Sequence, residues 1–211
     1  MRTMFYIAGL LVSITANATN RVAVIDTGIN VNDYNKKYLC EGGHEDFTGY
    51  GIFDEEGHGT EVVQHIIENA KTKNFCIVVL KFWQRGLNTQ QTIANTVAAF
   101  KKVRDLKITL VNYSASGNSR NNDEEWFIEN NPQITFVVAA GNDNVNLETN
   151  PRYPASYATK NMIVVGALNK DNTKQRVSNY GKTVTAWEYS NATSFATAIK
   201  TGKIVYQRFA R

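Results

Sequence analysis

Short β-branched runs alternate with longer amphipathic stretches along most of the chain. Residues 21–25 form a run suited to a buried parallel strand, and residues 75–82, 108–113, 134–140 and 162–167 read the same way, with a further short strand near Val184. Between these runs the apolar spacing becomes helical. Val62, Val63, Ile66, Ile67 and Ala70 share one face after Gly57-His58-Gly59-Thr60. Ile93, Val97, Phe100 and Val103 do the same over residues 90–103, and residues 195–208 give a third helix. Residues 30–57 are polar and Gly-rich without periodicity, a surface excursion of the length that often carries function. Strands alternating with helices predict an α/β fold in three layers, with a mostly parallel central sheet and helices on both faces. Internal repeats and low-complexity linkers are absent from the sequence, so a single domain is expected.

The first eighteen residues stand apart from this pattern. Arg2 precedes an apolar run from Met4 to Ile14, and Ala16-Asn17-Ala18 offers a small-x-small cleavage site. This is the arrangement of a secretory signal peptide, too short to span a bilayer comfortably. A buried strand or a retained anchor is the competing reading. Residues 1–18 are therefore set aside from the domain at 19–211, and a secreted or periplasmic location is expected, with no stable membrane association after cleavage.

The chain has 211 residues, enough for one α/β domain with a substantial core. It is 43% hydrophobic and 20% charged, which excludes a disordered tail. Without Arg2, its 23 Lys and Arg become 22 against 19 acids, a mild and scattered excess that gives no argument for nucleic acid. Export would place Cys40 and Cys76 in an oxidising space, where a disulfide and two separate buried thiols are both compatible with the sequence.

Candidate chemistry sits at the segment ends. Asp26 closes the first strand in Asp26-Thr27-Gly28, on the sheet edge where α/β proteins place ligands. His58 opens a helix, where the dipole disfavours an imidazolium and favours a neutral base. Asn142 ends Ala139-Ala140-Gly141-Asn142, and Ser194 lies at the mouth of the last helix, where backbone N–H groups converge. Taken singly, Asp26 reads equally as a turn residue, Asn142 as a cap or turn residue, and Ser194 as an N-cap.

Taken together, Asp26-Thr27-Gly28, His58-Gly59-Thr60, the Asn142 segment and Thr193-Ser194-Phe195-Ala196 resemble the signatures of the subtilisin-like serine proteases, the subtilases, in the family's chain order of Asp, His and Ser. Asn112-Tyr113-Ser114-Ala115-Ser116-Gly117 is similar to that family's substrate-binding strand. Tyr153-Pro154-Ala155, Val165-Gly166-Ala167 and Ser178-Asn179-Tyr180-Gly181 extend the likeness across residues 21–205. The resemblance implies a serine endopeptidase acting on protein or peptide substrates, expected as a monomer without cofactor or metal. Ser194 would be the nucleophile, His58 the base, Asp26 the group that orients the ring, and Asn142 the oxyanion donor. Ser114, Ala115, Ser116 and Gly117 would flank the substrate, with Asn118 narrowing the first pocket.

The chain also departs from the family pattern. Ala192 and Ala198 stand where a Gly and a Pro are usual, and the added β-carbon at 192 is expected to strain the approach to Ser194. The stretch from Trp187 to Thr193 is short, which leaves one wall of the cleft thin. Only residues 71–74 link the His58 helix to the next strand, so the calcium loop frequent in the family is not expected. Asp54-Glu55-Glu56 and Asp123-Glu124-Glu125 read as solvated acidic faces. His65 is expected on the His58 helix surface or against the core, and His44 in solvent. Only Thr19 and Asn20 separate the cleavage site from the first strand, so a propeptide before the domain is not expected.

Four competing readings are weaker. A catalytically impaired, subtilase-like binding domain is the main alternative. An aspartic protease needs a second Asp-Thr-Gly or Asp-Ser-Gly, which the chain lacks, and no Gly-rich phosphate loop supports a nucleotide-binding domain. The spacing of His58, Glu61 and His65 does not match a zinc protease.

Overall fold

A computed structural model describes residues 20–210, so the segment read as a signal peptide lies outside the described residues. Seven strands form one sheet in the order β2-β3-β1-β4-β5-β6-β7, parallel at every named pairing. They are β1 (Arg21–Asp26), β2 (Glu45–Asp46), β3 (Cys76–Lys81), β4 (Leu110–Tyr113), β5 (Thr135–Ala139), β6 (Met162–Leu168) and β7 (Ala186–Tyr189). Four α-helices cover it: α1 (His58–Ala70), α2 (Thr89–Asp105), α3 (Asn122–Glu129) and α4 (Thr193–Phe209).

The predicted three-layer α/β architecture is the one observed. In β1, Ala23 and Ile25 face α2 and α3, whereas Val22 and Val24 face α1 and α4. Strands buried on both faces need apolar residues at both parities, which is why they read as continuous β-branched runs. Two cores result. Phe100, Phe127 and Phe136 fill one face, and Val62, Ile66, Ala198 and Val205 fill the other. Helices α1 and α4 come so close that a Cβ on Gly202 would lie 2.5 Å from the Ile66 carbonyl oxygen. That contact fixes the position of α4's first turn relative to His58.

The structure adds and corrects elements. The last strand starts at Ala186 rather than near Val184, although Thr185 already donates its N–H to Val164. Strand β2 lies inside the excursion at 30–57, and α3 was not expected at all. Cys40 and Cys76 form a disulfide that ties that excursion to the start of β3. Closing a loop with a separation of 36 residues is worth about 4 kcal/mol in the chain-entropy account. His44 is half-buried rather than simply solvated. Its Nδ1 accepts from the Val79 N–H at 3.0 Å and its Nε2 donates to the Cys40 carbonyl at 2.9 Å, so an imidazole caps backbone groups beside β3.

Candidate functional site

Parallel strands that all run one way deliver their carboxyl ends to one edge of the sheet, and the candidate residues lie there. Asp26 is the last residue of β1 and is only 2% exposed. His58 is the first residue of α1, and its Nδ1 lies 2.7 Å from Asp26 Oδ1. The second hydrogen bond to that oxygen comes from the Thr27 N–H at 2.8 Å. Glycines make this approach possible. Gly28 has φ +118°, and a Cβ on Gly59 would sit 2.5 Å from the Gly28 carbonyl oxygen and 3.2 Å from the Asp26 Cβ. The end of β1 and the first turn of α1 therefore meet backbone to backbone.

Burial tends to push the His58 pKa down, and the Asp26 hydrogen bond and charge push it up. The net direction is upward from 6.5, with Asp54 and Glu61 adding to the rise. The net direction is thus opposite to the helix-terminus influence read from the sequence, and it follows the carboxylate in direct contact.

Ser194 is in the first turn of α4 and is 9% exposed. It does not cap the helix; Ala192 holds the N-cap position. Ala192 has φ −147° and ψ 153°, extended backbone that any residue adopts, so the expected strain at this substitution is absent. Residues 190–192 alone join β7 to α4. The Ser194 hydroxyl donates to the Ser114 carbonyl at 3.3 Å, and the Ser114 hydroxyl donates to the Ser194 carbonyl at 2.9 Å. At rest, then, the described hydroxyl bonds to β4's continuation rather than to His58. The start of α4 nonetheless lies near the start of α1, since the ring of Phe195, the residue after Ser194, lies 5.7 Å from that of His58. Phe195 also stacks at 5.1 Å on His65, which settles that histidine against an aromatic partner.

Asn142 follows β5 across Ala140 and Gly141. Its Oδ1 accepts from the Thr193 N–H at 2.9 Å and the Thr193 hydroxyl at 3.0 Å. Because both partners donate, the oxygen is the anchored end and Nδ2 is left free to donate elsewhere. Ser114, Ala115, Ser116 and Gly117 border two pockets on either side of their segment. The smaller, of about 420 Å³, also includes Asn118, Asn142, Thr193, Ser194 and an Asp143–Arg152 pair at 2.8 Å. The larger, of about 710 Å³, takes in Asp26, His58 and the start of α2.

Several residues that the sequence singled out for other reasons hold this arrangement together. Asn112 on β4 donates to the Ser114 hydroxyl at 2.9 Å and accepts from Thr201 of α4 at 2.9 Å, linking the sheet to the Ser194 helix. Asn179 accepts from the Asp143 and Val145 N–H groups at 3.0 Å and donates to the Ala140 carbonyl at 2.8 Å, shaping the loop that presents Asn142. Asp54 accepts from the Thr27 hydroxyl, the Gly57 N–H, and both the N–H and hydroxyl of Thr60, over 2.7–2.9 Å. It is 1% exposed, so the solvated reading of its cluster is corrected there. Glu124 is the second correction, 7% exposed on the inward side of α3. Polar residues facing a strand or helix start are the signal for such roles, but their partners are remote in sequence.

Among the described residues, no group of three or more His, Cys, Asp or Glu gathers as a metal site, and no helix is long and apolar enough to cross a membrane.

A parallel α/β sheet with an Asp–His pair, a buried serine at a helix start and an anchored asparagine at one edge defines the class. The chain belongs to the subtilase family, whose model matches residues 18–206. It is 34% identical over 174 residues to subtilisin-like protease 2 of Trichophyton verrucosum, and 35% identical over 185 residues to the protein of that name from Arthroderma otae. Each match covers 78% of this chain but only 40% of the relative, so the chain spans well under half the length of these curated relatives. Among solved structures, a lanthipeptide protease superposes with a TM-score of 0.73 at 17% identity, covering 90% of this chain and 72% of that one. The nisin leader peptidase NisP from Lactococcus lactis gives 0.73 at 16%, with 90% and 77% covered. These two likenesses carry the fold alone.

Proposed function

We propose that the chain is a serine endopeptidase that hydrolyses peptide bonds through an acyl-enzyme on Ser194. The observation that carries this reading is the 2.7 Å Asp26–His58 hydrogen bond beside the helix start that bears Ser194. Family membership supports it. In the reaction the Ser194 hydroxyl exchanges the Ser114 carbonyl for His58 Nε2, the ring nitrogen that Asp26 leaves free. Oγ attacks the scissile carbonyl carbon, its proton passes to Nε2, and the carbonyl electron pair moves onto oxygen. Asn142 Nδ2 and the Ser194 N–H donate to that oxyanion; loss of one such donor costs about 10²–10³-fold in turnover. The oxyanion collapses, the C–N bond breaks, and the imidazolium gives its proton to the leaving amine. Water then repeats the sequence and releases the acid. Asp26 keeps the Nδ1 proton in place throughout.

The substrates are proteins or peptides laid along residues 114–117. The enzyme works outside the cytoplasm, a location that the Cys40–Cys76 disulfide supports. A fluorophosphonate probe tests the reading directly: it should label the protein stoichiometrically, and labelling should vanish in Ser194→Ala. Well-folded protein that takes no label would instead favour a binding domain. The acid limb of kcat/KM should lie above pH 6.5, since the upward shift of His58 keeps the ring protonated, and unable to accept a proton, to a higher pH. In Asp26→Asn that limb should move down and kcat should fall by about 10⁴-fold. A rate flat from pH 8 to 5 would remove His58 from the role of base.

A further inference from the structure

The larger pocket ends on an unusual group. Glu124 lies on its wall, and the carboxylate is buried between α3 and the sheet. Its Oε2 accepts from the Tyr157 hydroxyl at 2.6 Å, whereas Oε1 has no hydrogen-bond partner. A buried, unpartnered carboxylate oxygen is costly, and native proteins keep few of them. Burial holds this carboxyl above the ordinary range, against the pull of the Tyr157 and Tyr113 phenols. The charged residues on the pocket wall are Asp26, Glu56, His58 and Glu124; among the described residues, no lysine or arginine lines it.

The rest of the wall suits the stem of a long side chain. Phe82, Trp83 and Ile93 give apolar and aromatic surface, and Thr96 and Tyr113 give hydroxyls. Aromatic faces beside carboxylates favour an ammonium or guanidinium whose methylenes are sheathed in apolar surface. Glu56 is already engaged by Arg85 at 3.0 Å, which leaves Glu124 as the uncommitted acid.

We infer that the larger pocket is a specificity subsite for a lysine or arginine side chain of the substrate, with Glu124 Oε1 as its acceptor. The inference rests on the peptidase reading for the nature of the occupant, a peptide side chain, but the charge selection is a property of the pocket itself. The smaller pocket, which borders Ser194, receives a different side chain of the same peptide.

The test uses a cleaved peptide in which a single lysine is walked through the positions around the scissile bond. Each version is paired with its norleucine counterpart. At one position the wild-type protein should prefer lysine by about 10-fold or more in kcat/KM, the scale of a hydrogen bond to a charged group. Glu124→Gln, checked for folding by urea titration, should bring that ratio to about 1. Acetylating the lysine should do the same in the wild-type protein, a readout that needs no variant. Glu56→Gln should leave the lysine-to-norleucine ratio above 3. A wild-type protein without lysine preference at any position, a preference that survives Glu124→Gln, or one lost only in Glu56→Gln would overturn the inference. If no peptide is cleaved, the peptidase reading fails. Fluorescence anisotropy with the same pairs then decides the pocket: a lysine preference in Kd that is lost in Glu124→Gln upholds charge selection, and equal binding of each pair refutes it.

Discussion

Two acidic clusters of the same composition end in opposite physical states. In one, Asp54 is buried against the start of α1 and its carboxylate collects four donors. In the other, Glu124 is buried against the larger pocket; Tyr157 donates to its Oε2, the Tyr113 phenol adds a weaker pull, and Oε1 is left without a partner. Burial pushes both carboxyls upward. At Asp54 the donors of Thr60, Thr27 and Gly57 more than offset it and the pKa ends below 3.8. At Glu124 they do not, and it ends above 4.5. The contrast shows that depth alone does not decide whether a buried acid stabilises a fold; the number of donors aimed at it does. Asp54 is part of the frame that seats His58. Glu124 is held in the first turn of α3 by Tyr157 with its second oxygen unpartnered.

The largest effect that can break this comparison is at Asp54. Asp54→Ala strands two N–H groups and two hydroxyls around the Asp26–His58 pair and removes the carboxylate at the N-terminus of α1. A loss of about 3–4 kcal/mol is expected, or roughly 10 °C in Tm for a domain of this size. Calorimetry reads it, and a change under 1 kcal/mol would show that the carboxylate is not structural. Asp54→Asn should cost less, because Asn still accepts on one side. The pH sign follows from the shift. A folded pKa below the unfolded value of 3.8 contributes stability that is complete above 3.8 and is lost as pH falls through the folded value. The gap between wild type and Asp54→Asn should therefore narrow on acidification below pH 4.

Much of this was legible in the linear chain. Runs such as 75–82 announce strands buried on both faces, and the spacing of Val62, Val63, Ile66 and Ile67 announces α1. Asp26, His58, Asn142 and Ser194 are visible because each stands at a segment end, and the parallel sheet brings those ends to one edge. What stayed hidden has a common cause. Helix α3 buries only Glu124, Phe127 and Ile128, too few apolar positions for a period. Its other signals were present: Asn121 caps Glu124's N–H at 2.8 Å, and Asp123, Glu124 and Glu125 fill the first turn. The two residues of β2 are too short for alternation. Charge patterning labels Asp54 and Glu124 as solvent-facing because it carries no information on depth, and depth here comes from partners such as Thr27 and Tyr157, 27 and 33 residues away. The strain expected at Ala192 was misplaced because the position is extended, a property set by how β7 enters α4.

The smallest expected effect on stability is the one that sharpens the comparison. Glu124→Gln keeps the shape of the side chain and its contact with Tyr157, and it removes a charge that the fold holds poorly. At low pH both forms are neutral and should be nearly equal in stability. A folded pKa above the unfolded 4.5 means that the unfolded chain ionises first as pH rises, which costs wild type stability in all the range above. Glu124→Gln should then match wild type at pH 4 and exceed it at pH 7, by up to about 1 kcal/mol in urea titrations at the two pH values. The opposite slope to Asp54→Asn, from a residue of the same charge class, is the critical feature. If Glu124→Gln instead loses stability relative to wild type as pH rises, the carboxylate must find a cation or a further donor within the folded chain, and its unpartnered oxygen would no longer call for one from outside.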